Sequence, residues 1–325
     1  MATNNHAPFS KESYATIPLP VNVLVALFPL YVFSVVFFGT RPLILLCASV
    51  LTAMVCEGIS NWLMLRKNRF QDGTAIVTGA LIASVMSPLT PIFVPILASA
   101  FAILVVKMPF GGTGRNLFNP AASGIALTTV CFPNLMFMYP DNEIRVSITA
   151  FTFDATQAPS PASELFTHAK SSYLWYDLLL GDVPGAIGTT AILILFACAV
   201  FLFARRSLSP ALTLSFLVTC AVFSLLFPRT DEGRLQSILL ELCSGYLFFG
   251  SIFFLNDPTT SPSHTLARIV YGVMAGLLVM LLRHFGQFEE GMCFAVMLCN
   301  VLASPLDRVC WKLLHHRHKR KEAAA

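Results

Sequence analysis

Phe110-Gly-Gly-Thr-Gly-Arg-Asn-Leu-Phe-Asn-Pro120 lies between two long apolar runs, 92–108 and 121–138. Three glycines, two asparagines and a proline are costly at the edge of a bilayer, because irregular backbone there needs partners other than lipid. The stretch therefore marks a built loop. It also separates two apolar segments of membrane-spanning length, and the rest of the chain repeats that pattern.

The composition is 56% hydrophobic and only 12% charged, with a mean hydropathy of +0.72. Soluble domains do not have this balance, so a soluble enzyme or a nucleic-acid partner is excluded, and the chain reads as an all-α polytopic membrane protein. Apolar runs fall at 21–38, 43–65, 73–89, 92–108 and 121–138, and after a polar segment at 186–204, 209–227, 237–255, 267–282 and 291–314. About ten transmembrane helices are predicted. The run from Val21 follows a head with one cation, Lys11, and no small-residue cleavage site comes after it, so it is expected to stay as a span. The expected parts are a head 1–20, a five-helix half 21–138, a loop 139–185, a second five-helix half 186–314 and a basic tail 315–325.

Orientation follows from the cations. With the N-terminus in the cytoplasm, the inside set is Lys11, Arg66, Lys67, Arg69, Lys107, Arg115, Arg205, Arg206, Arg268, Arg308, Lys312, Arg317, Lys319, Arg320 and Lys321, fifteen of the 21. The six outside are Arg41, Arg145, Lys170, Arg229, Arg234 and Arg283. The bias predicts both termini in the cytoplasm and the polar segment outside. An odd number of spans per half makes the second half run opposite to the first, the condition for two inverted five-helix halves. Ser87-Pro-Leu-Thr-Pro91 and Pro258-Thr-Thr-Ser-Pro262 echo one another, as do Phe110-Gly111 and Phe285-Gly286.

The nine cysteines include no CxxC, and Cys293 and Cys299 lack a zinc or iron–sulfur spacing. They are expected to be small buried apolar residues, with no metal site and no disulfide. Glu57 and Glu241 fall inside predicted spans. Burying such a group uncompensated costs ~2.5–3.5 kcal/mol, which leaves an ion path or helix packing through a satisfied hydrogen bond. The tail His315-His-Arg-His-Lys-Arg-Lys321 is an orientation signal that also suits anionic headgroups.

The glycine-rich loop is no P-loop, since no Lys-Ser or Lys-Thr follows its last glycine, and no Rossmann turn, since no strand precedes it. Two readings stand. Its bare backbone at Gly112 lets a planar ligand approach, with the amides of Asn116 and Asn119 meeting a ring edge. Otherwise it is a re-entrant turn whose asparagines cap the helix from Ala121. A second polar cluster, Asn256-Asp-Pro-Thr-Thr-Ser-Pro-Ser-His264, falls on the same predicted side, and Asp257 and Thr259 suit either a helix N-cap or a ligand loop.

These two loops, with Leu180-Gly-Asp-Val-Pro-Gly185 and the closing Phe294-Ala-Val-Met-Leu and Asp307-Arg308, resemble the family that holds the D subunit of Rnf electron-transport complexes and the B subunit of sodium-pumping NADH:quinone reductase. The resemblance covers nearly the whole chain. It implies a bacterial inner-membrane flavoprotein of ten helices, with FMN joined through its phosphate to a threonine in an outer loop and riboflavin held nearby. The family motif is an Asp, a few small or hydroxyl residues, then Ala-Thr-Pro. Here the matching stretch is Asp154-Ala-Thr-Gln-Ala-Pro-Ser-Pro161, which puts Ser160 at the flavin-bearing position. Gln157 stands for a serine or threonine, Pro159 for the alanine and serine for threonine. Three readings stay open: FMN on Ser160, FMN on Thr156, or a loop without covalent flavin.

The resemblance further implies a flavin-carrying membrane subunit of an ion-translocating redox complex. It would relay electrons between partners while Na+ or H+ crosses the membrane, and would not be catalytic alone. The partners the resemblance implies are iron–sulfur subunits, a second flavoprotein with an outer-side domain and a cytoplasmic module that handles NAD; they would supply the dinucleotide and cluster sites that this chain's motifs do not show. The alternative is a cofactor-free small-solute transporter or channel of inverted-repeat architecture.

Overall fold

The computed structural model describes residues 18–64, 73–141, 157–167, 172–229, 233–286 and 288–322. Arg66, Lys67, Arg69, Arg145, Asp154, Thr156 and Lys170 lie outside the described residues. The first half is built from α1 (Pro18–Phe38), α2 (Arg41–Leu63), α3 (Thr74–Val85), α4 (Phe93–Phe101), which continues as a π-helical turn (Ala102–Lys107), α5 (Pro120–Cys131) and the short α6 (Pro133–Met136). A two-stranded ribbon, β1 (Tyr139–Pro140) and β2 (Gln157–Ala158), and the short helices α7 (Pro161–Phe166) and α8 (Trp175–Leu180) occupy the polar segment. The second half holds α9 (Ile192–Ala204), α10 (Pro210–Leu226), α11 (Arg234–Cys243), α12 (Leu247–Phe253), α13 (Thr265–Phe285) and α14 (Met292–Glu322).

Each predicted apolar run coincides with a helix or a pair of helices. Four of them, Leu19–Phe38, Arg41–Leu63, Thr265–Phe285 and Met292–Leu313, are long and apolar enough to cross a membrane, and the pair α11 and α12, bent by 52°, makes a fifth. The other apolar helices are shorter than the runs that foretold them. The run at 73–89 yields a helix only to Val85 and that at 121–138 one only to Cys131. That at 186–204 starts at Ile192. Proline and small polar residues at these ends favour loop over helix. The run at 237–255 is broken at Ser244–Tyr246, where Gly245 has φ +60°, a backbone state that suits glycine. The last helix runs on through 315–322, where a separate tail was expected.

Along α1, Val21, Val25, Phe28, Val32 and Val36 are 47–69% exposed while Leu27 and Leu30 are buried. An apolar stripe of that length on an outer face is a bilayer contact. Small residues bring helix backbones together inside: a Cβ at Gly272 would press on Leu212 O, and one at Gly276 on Phe216 O, so α13 packs close against α10. The halves are stitched where Ile187 and Gly188 donate backbone bonds to Met86 O and Ser84 O at 3.0 and 2.6 Å. Ser34 Oγ also donates to Ile187 O. Irregular backbone between the halves is thus satisfied by protein, as it must be wherever lipid is the alternative.

Candidate functional site

The loop after the π-helical turn is held in shape by its glycines. Gly111, Gly112 and Gly114 have φ of 116°, 86° and 89°, the left-handed region that side chains disfavour. Gly112 N donates to Lys107 O at 3.1 Å, which folds the loop back under the helix end. It meets the connection between α12 and α13, so the two polar stretches singled out in the sequence stand face to face. Between them lies a cavity of about 110 Å³. Its walls are largely apolar, among them Leu19, Val23, Val77, Leu81, Leu202, Ile252 and Phe253, and its polar edge carries Lys107, Thr113, Asn116, Asn119, Asp257 and Thr259. Asn116 and Thr259 also line a neighbouring polar cavity of about 340 Å³ with Arg115, Thr260, Asn300, Ser304 and Asp307.

The two asparagines do different work. Asn119 is the N-cap of α5: its Oδ1 accepts from Ala122 N at 3.2 Å and its Nδ2 donates to Phe254 O at 3.1 Å. Both ends of that amide are used, one for the helix start and one to tie the halves. Asn116 Oδ1 is buried and has no hydrogen-bond partner. An orphaned buried acceptor costs ~1–3 kcal/mol, and a ligand N–H or O–H in the cavity recovers it.

Asp257 accepts from Thr259 N and Oγ1 at 3.2 and 2.8 Å and from Thr260 Oγ1 at 3.0 Å, so it fixes the shape of its own loop. It does not cap a helix, and neither does Thr259. The N-cap of α13 is His264, and the capping carboxylate comes from α14: Asp307 accepts from Ser263 N at 3.0 and 2.8 Å and from His264 N at 3.1 Å. A cap delivered from 43 residues away leaves no mark in the local sequence.

Lys107 is the polar group that sequence reading missed, having counted only as a cytoplasmic charge. Its side chain is buried, with Nζ 2.5 Å from Glu57 Oε1 and 2.7 Å from Thr74 Oγ1. Thr74 in turn lies 3.1 Å from Thr113 in the glycine-rich loop. Glu57 is therefore satisfied within the bundle. Glu241 is too, with Arg229 Nε at 2.5 Å and Arg283 Nη1 at 3.1 Å.

Ser160 lies at the other end of the fold. It is 4% exposed and is the N-cap of α7, accepting from Ser163 N at 3.0 Å while donating to Glu289 Oε2 at 3.2 Å. The cavity beside it measures about 20 Å³. Thr156 and Asp154, the other parts of that motif, lie outside the described residues.

The two flavin expectations fare differently in this geometry. The apolar walls of the cavity between the two loops and the orphaned Asn116 acceptor fit a planar, largely apolar ring with hydrogen-bonding groups at its edge. Ser160 as placed here does not fit a flavin phosphate: the ester would remove the hydroxyl proton that Glu289 receives and set a phosphodiester anion against that carboxyl in a cavity of about 20 Å³. Among the described residues no group of three or more His, Cys, Asp or Glu is placed to hold a metal ion.

Comparison with known proteins agrees with the loops. The sequence profile of the NQR2, RnfD, RnfE family matches residues 3–313. Curated relatives include the D subunit of the ion-translocating oxidoreductase complex from Escherichia coli O9:H4 (strain HS), 30% identical over 93% of this chain and 94% of that protein. Its counterpart in Escherichia coli O17:K52:H18 (strain UMN026 / ExPEC) is 31% identical over the same shares. The counterpart in Salmonella arizonae (strain ATCC BAA-731 / CDC346-86 / RSK2980) is 29% identical, again over 93% and 94%.

Proposed function

The chain belongs to the NQR2, RnfD, RnfE family, and from that premise we propose that it is the flavin-carrying membrane subunit of an ion-translocating oxidoreductase complex. The single observation that carries the flavin is Asn116 Oδ1, a buried acceptor without a donor on the wall of an apolar cavity. Riboflavin, held without a covalent bond, is the form proposed there. A flavin supplies one- and two-electron transfer that no side chain of this protein offers. The protein's own contribution is to hold and orient: Gly112, which lies behind the cavity wall, folds the loop so that Thr113 and Asn116 line it, Asn116 reads a ring-edge donor, and Asp257 keeps Thr259 at the polar edge. Lys107 lines the same wall with its charge balanced by Glu57, so it contributes an N–H donor rather than a net charge.

The complex is proposed to contain iron–sulfur and flavin partner subunits and to move Na+ or H+ across a bacterial inner membrane. Ten spans in two inverted halves, with both termini cytoplasmic, is the proposed topology. In support of it, Lys107 and Arg283 are both 1% exposed and each stands at the end of its half's fourth helix, just before the matching Phe-Gly pairs 110–111 and 285–286. FMN on Ser160 stays a proposal with a stated condition, that the start of α7 opens and Glu289 takes up a proton. The engagement of Ser160 favours the second reading, a cofactor-free transporter or channel. The purified chain decides between them: it is yellow if it holds flavin, and Asn116→Leu lowers the flavin released on denaturation. A colourless chain sinks the flavin proposal.

A further inference from the structure

Residues 286–291 join α13 to α14, and their two glutamates are treated differently. Glu290 is 4% exposed and receives Arg283 Nη2 at 2.9 and 3.0 Å. Arg283 Nη1 reaches Glu241 Oε2 at 3.1 Å, and Glu241 Oε1 also takes Arg229 Nε at 2.5 Å. Two guanidinium groups thus balance two carboxylates. Glu289 is the carboxyl left over. Among the described residues no cation lies within ion-pair distance of it, and its side chain accepts from the Ser160 hydroxyl at 3.2 Å.

We propose that Glu289 is a reversible proton-binding site, a carboxyl whose charge is decided by the adjoining Glu290 and by the Ser160 hydroxyl that faces it. A hydroxyl serves both states of such a group: it donates to the carboxylate and accepts from the carboxylic acid. Ser160 Oγ accepts from Ser163 N at 3.0 Å, which leaves a second lone pair for a proton arriving on Glu289. The exchange is therefore local. One proton from water forms an O–H bond on Glu289, and the Ser160–Glu289 hydrogen bond reverses direction while Ser160 keeps its own proton.

The surrounding charges favour the protonated form more than an isolated glutamate allows. α7 supplies Ser160 and Ser163, while its Glu164 is turned to Ser172 N. The connecting loop supplies Glu290, and α13 supplies Arg283, already committed. Tyr139 of β1 and Tyr246 before α12 also face it, with Glu241 and Arg229 behind. Burial and Glu290 push Glu289 up to about 7, and the hydroxyls and Arg283 pull the other way. A group balanced there changes charge at neutral pH. In an ion-translocating assembly it gives the outer end of the second half a place to load or release a proton.

The inference does not rest on the flavin. It is tested on the full chain, purified without a flavin-attaching enzyme, by infrared spectroscopy between about pH 5 and about pH 9. Expected is a carboxylic-acid carbonyl band that titrates with a midpoint of about 7 and is lost in Glu289→Gln. Ser160→Ala removes a donor to the carboxylate and is expected to raise the midpoint by about half a pH unit or more. This second variant decides the matter if Glu289→Gln does not fold. No titrating band, a band that persists in Glu289→Gln, or an unmoved midpoint in Ser160→Ala overturns the proposal. A midpoint that shifts with sodium at constant ionic strength assigns the site to a metal cation and overturns it as well.

Discussion

Lys107 Nζ and Glu57 Oε1 stand 2.5 Å apart inside the bundle, joining the end of the π-helical turn to α2. Removing one partner of a buried pair leaves the other charge uncompensated, at a cost of ~3–5 kcal/mol. Lys107→Met and Glu57→Gln are each expected to lower the thermal midpoint in detergent sharply. The double variant is expected to recover most of the loss, and strictly additive losses would show that the pair is not coupled.

Asn116 and Asn119 are expected to separate in their effects. Asn119→Ala removes an N-cap and the bond to Phe254 O, so it costs ~1 kcal/mol or more in stability. Asn116→Leu breaks no bond and fills an unsatisfied position. It is expected to keep the thermal midpoint and lose extractable flavin. Equal flavin content in Asn116→Leu and wild type removes Asn116 from the site.

Covalent flavin is read by in-gel fluorescence of denatured chains coexpressed with a flavin-attaching enzyme. Loss of signal only in Ser160→Ala places FMN on Ser160, and loss only in Thr156→Ala moves it there. A dark wild type shows a chain without covalent FMN, the outcome favoured by a Ser160 hydroxyl engaged as cap and donor.

Sidedness is tested with Thr167→Cys and Arg206→Cys, both exposed positions, after replacing the exposed Cys47 and Cys131 by alanine. Membrane-impermeant labelling of right-side-out vesicles is expected at 167 and not at 206. Labelling of both from one side refutes the proposed topology.

Proton binding at Glu289 carries a stability signature. Its folded-state value, about 7, lies above the ordinary 4.5, so between those values the folded chain holds a proton that the unfolded chain has released. Stability therefore falls as pH rises through that window and levels off above it. Glu289→Gln is expected to flatten this slope when the thermal midpoint is followed against pH. An unchanged slope assigns the dependence to other groups.

The helices were legible because apolar runs of spanning length have few other solutions. Their ends were not, because residues such as Ser87, Pro88 and Thr90 leave the helix for partners distant in sequence: Ser87 donates to Met138 O, and Thr90 Oγ1 to Leu135 O at 3.1 Å. The same limit governs the sites. Gly112, Asn116, Asn119, Asp257 and Thr259 stood out because polar and glycine residues are conspicuous beside lipid. Lys107 and Arg283 did not, because a cation at the end of an apolar run looks like any topological marker until its carboxylate is placed. Ser160 was found through a resemblance, and only the fold showed Glu289 opposite it.

The π-helical turn at Ala102–Lys107 carries one residue more per turn than an α-helix, as the bond from Met108 N to Ile103 O at 2.9 Å shows. That surplus sets the angular phase at which Lys107 leaves the helix. Winding these same residues as a plain α-helix would swing the following side chains by about 100°. Lysine would still be present and still follow an apolar run, yet it would miss Glu57. Hydrogen-bond register here is thus a determinant in its own right: a relative of equal length that winds this stretch as α loses the pairing with every relevant side chain intact, whereas one shorter by a residue keeps it.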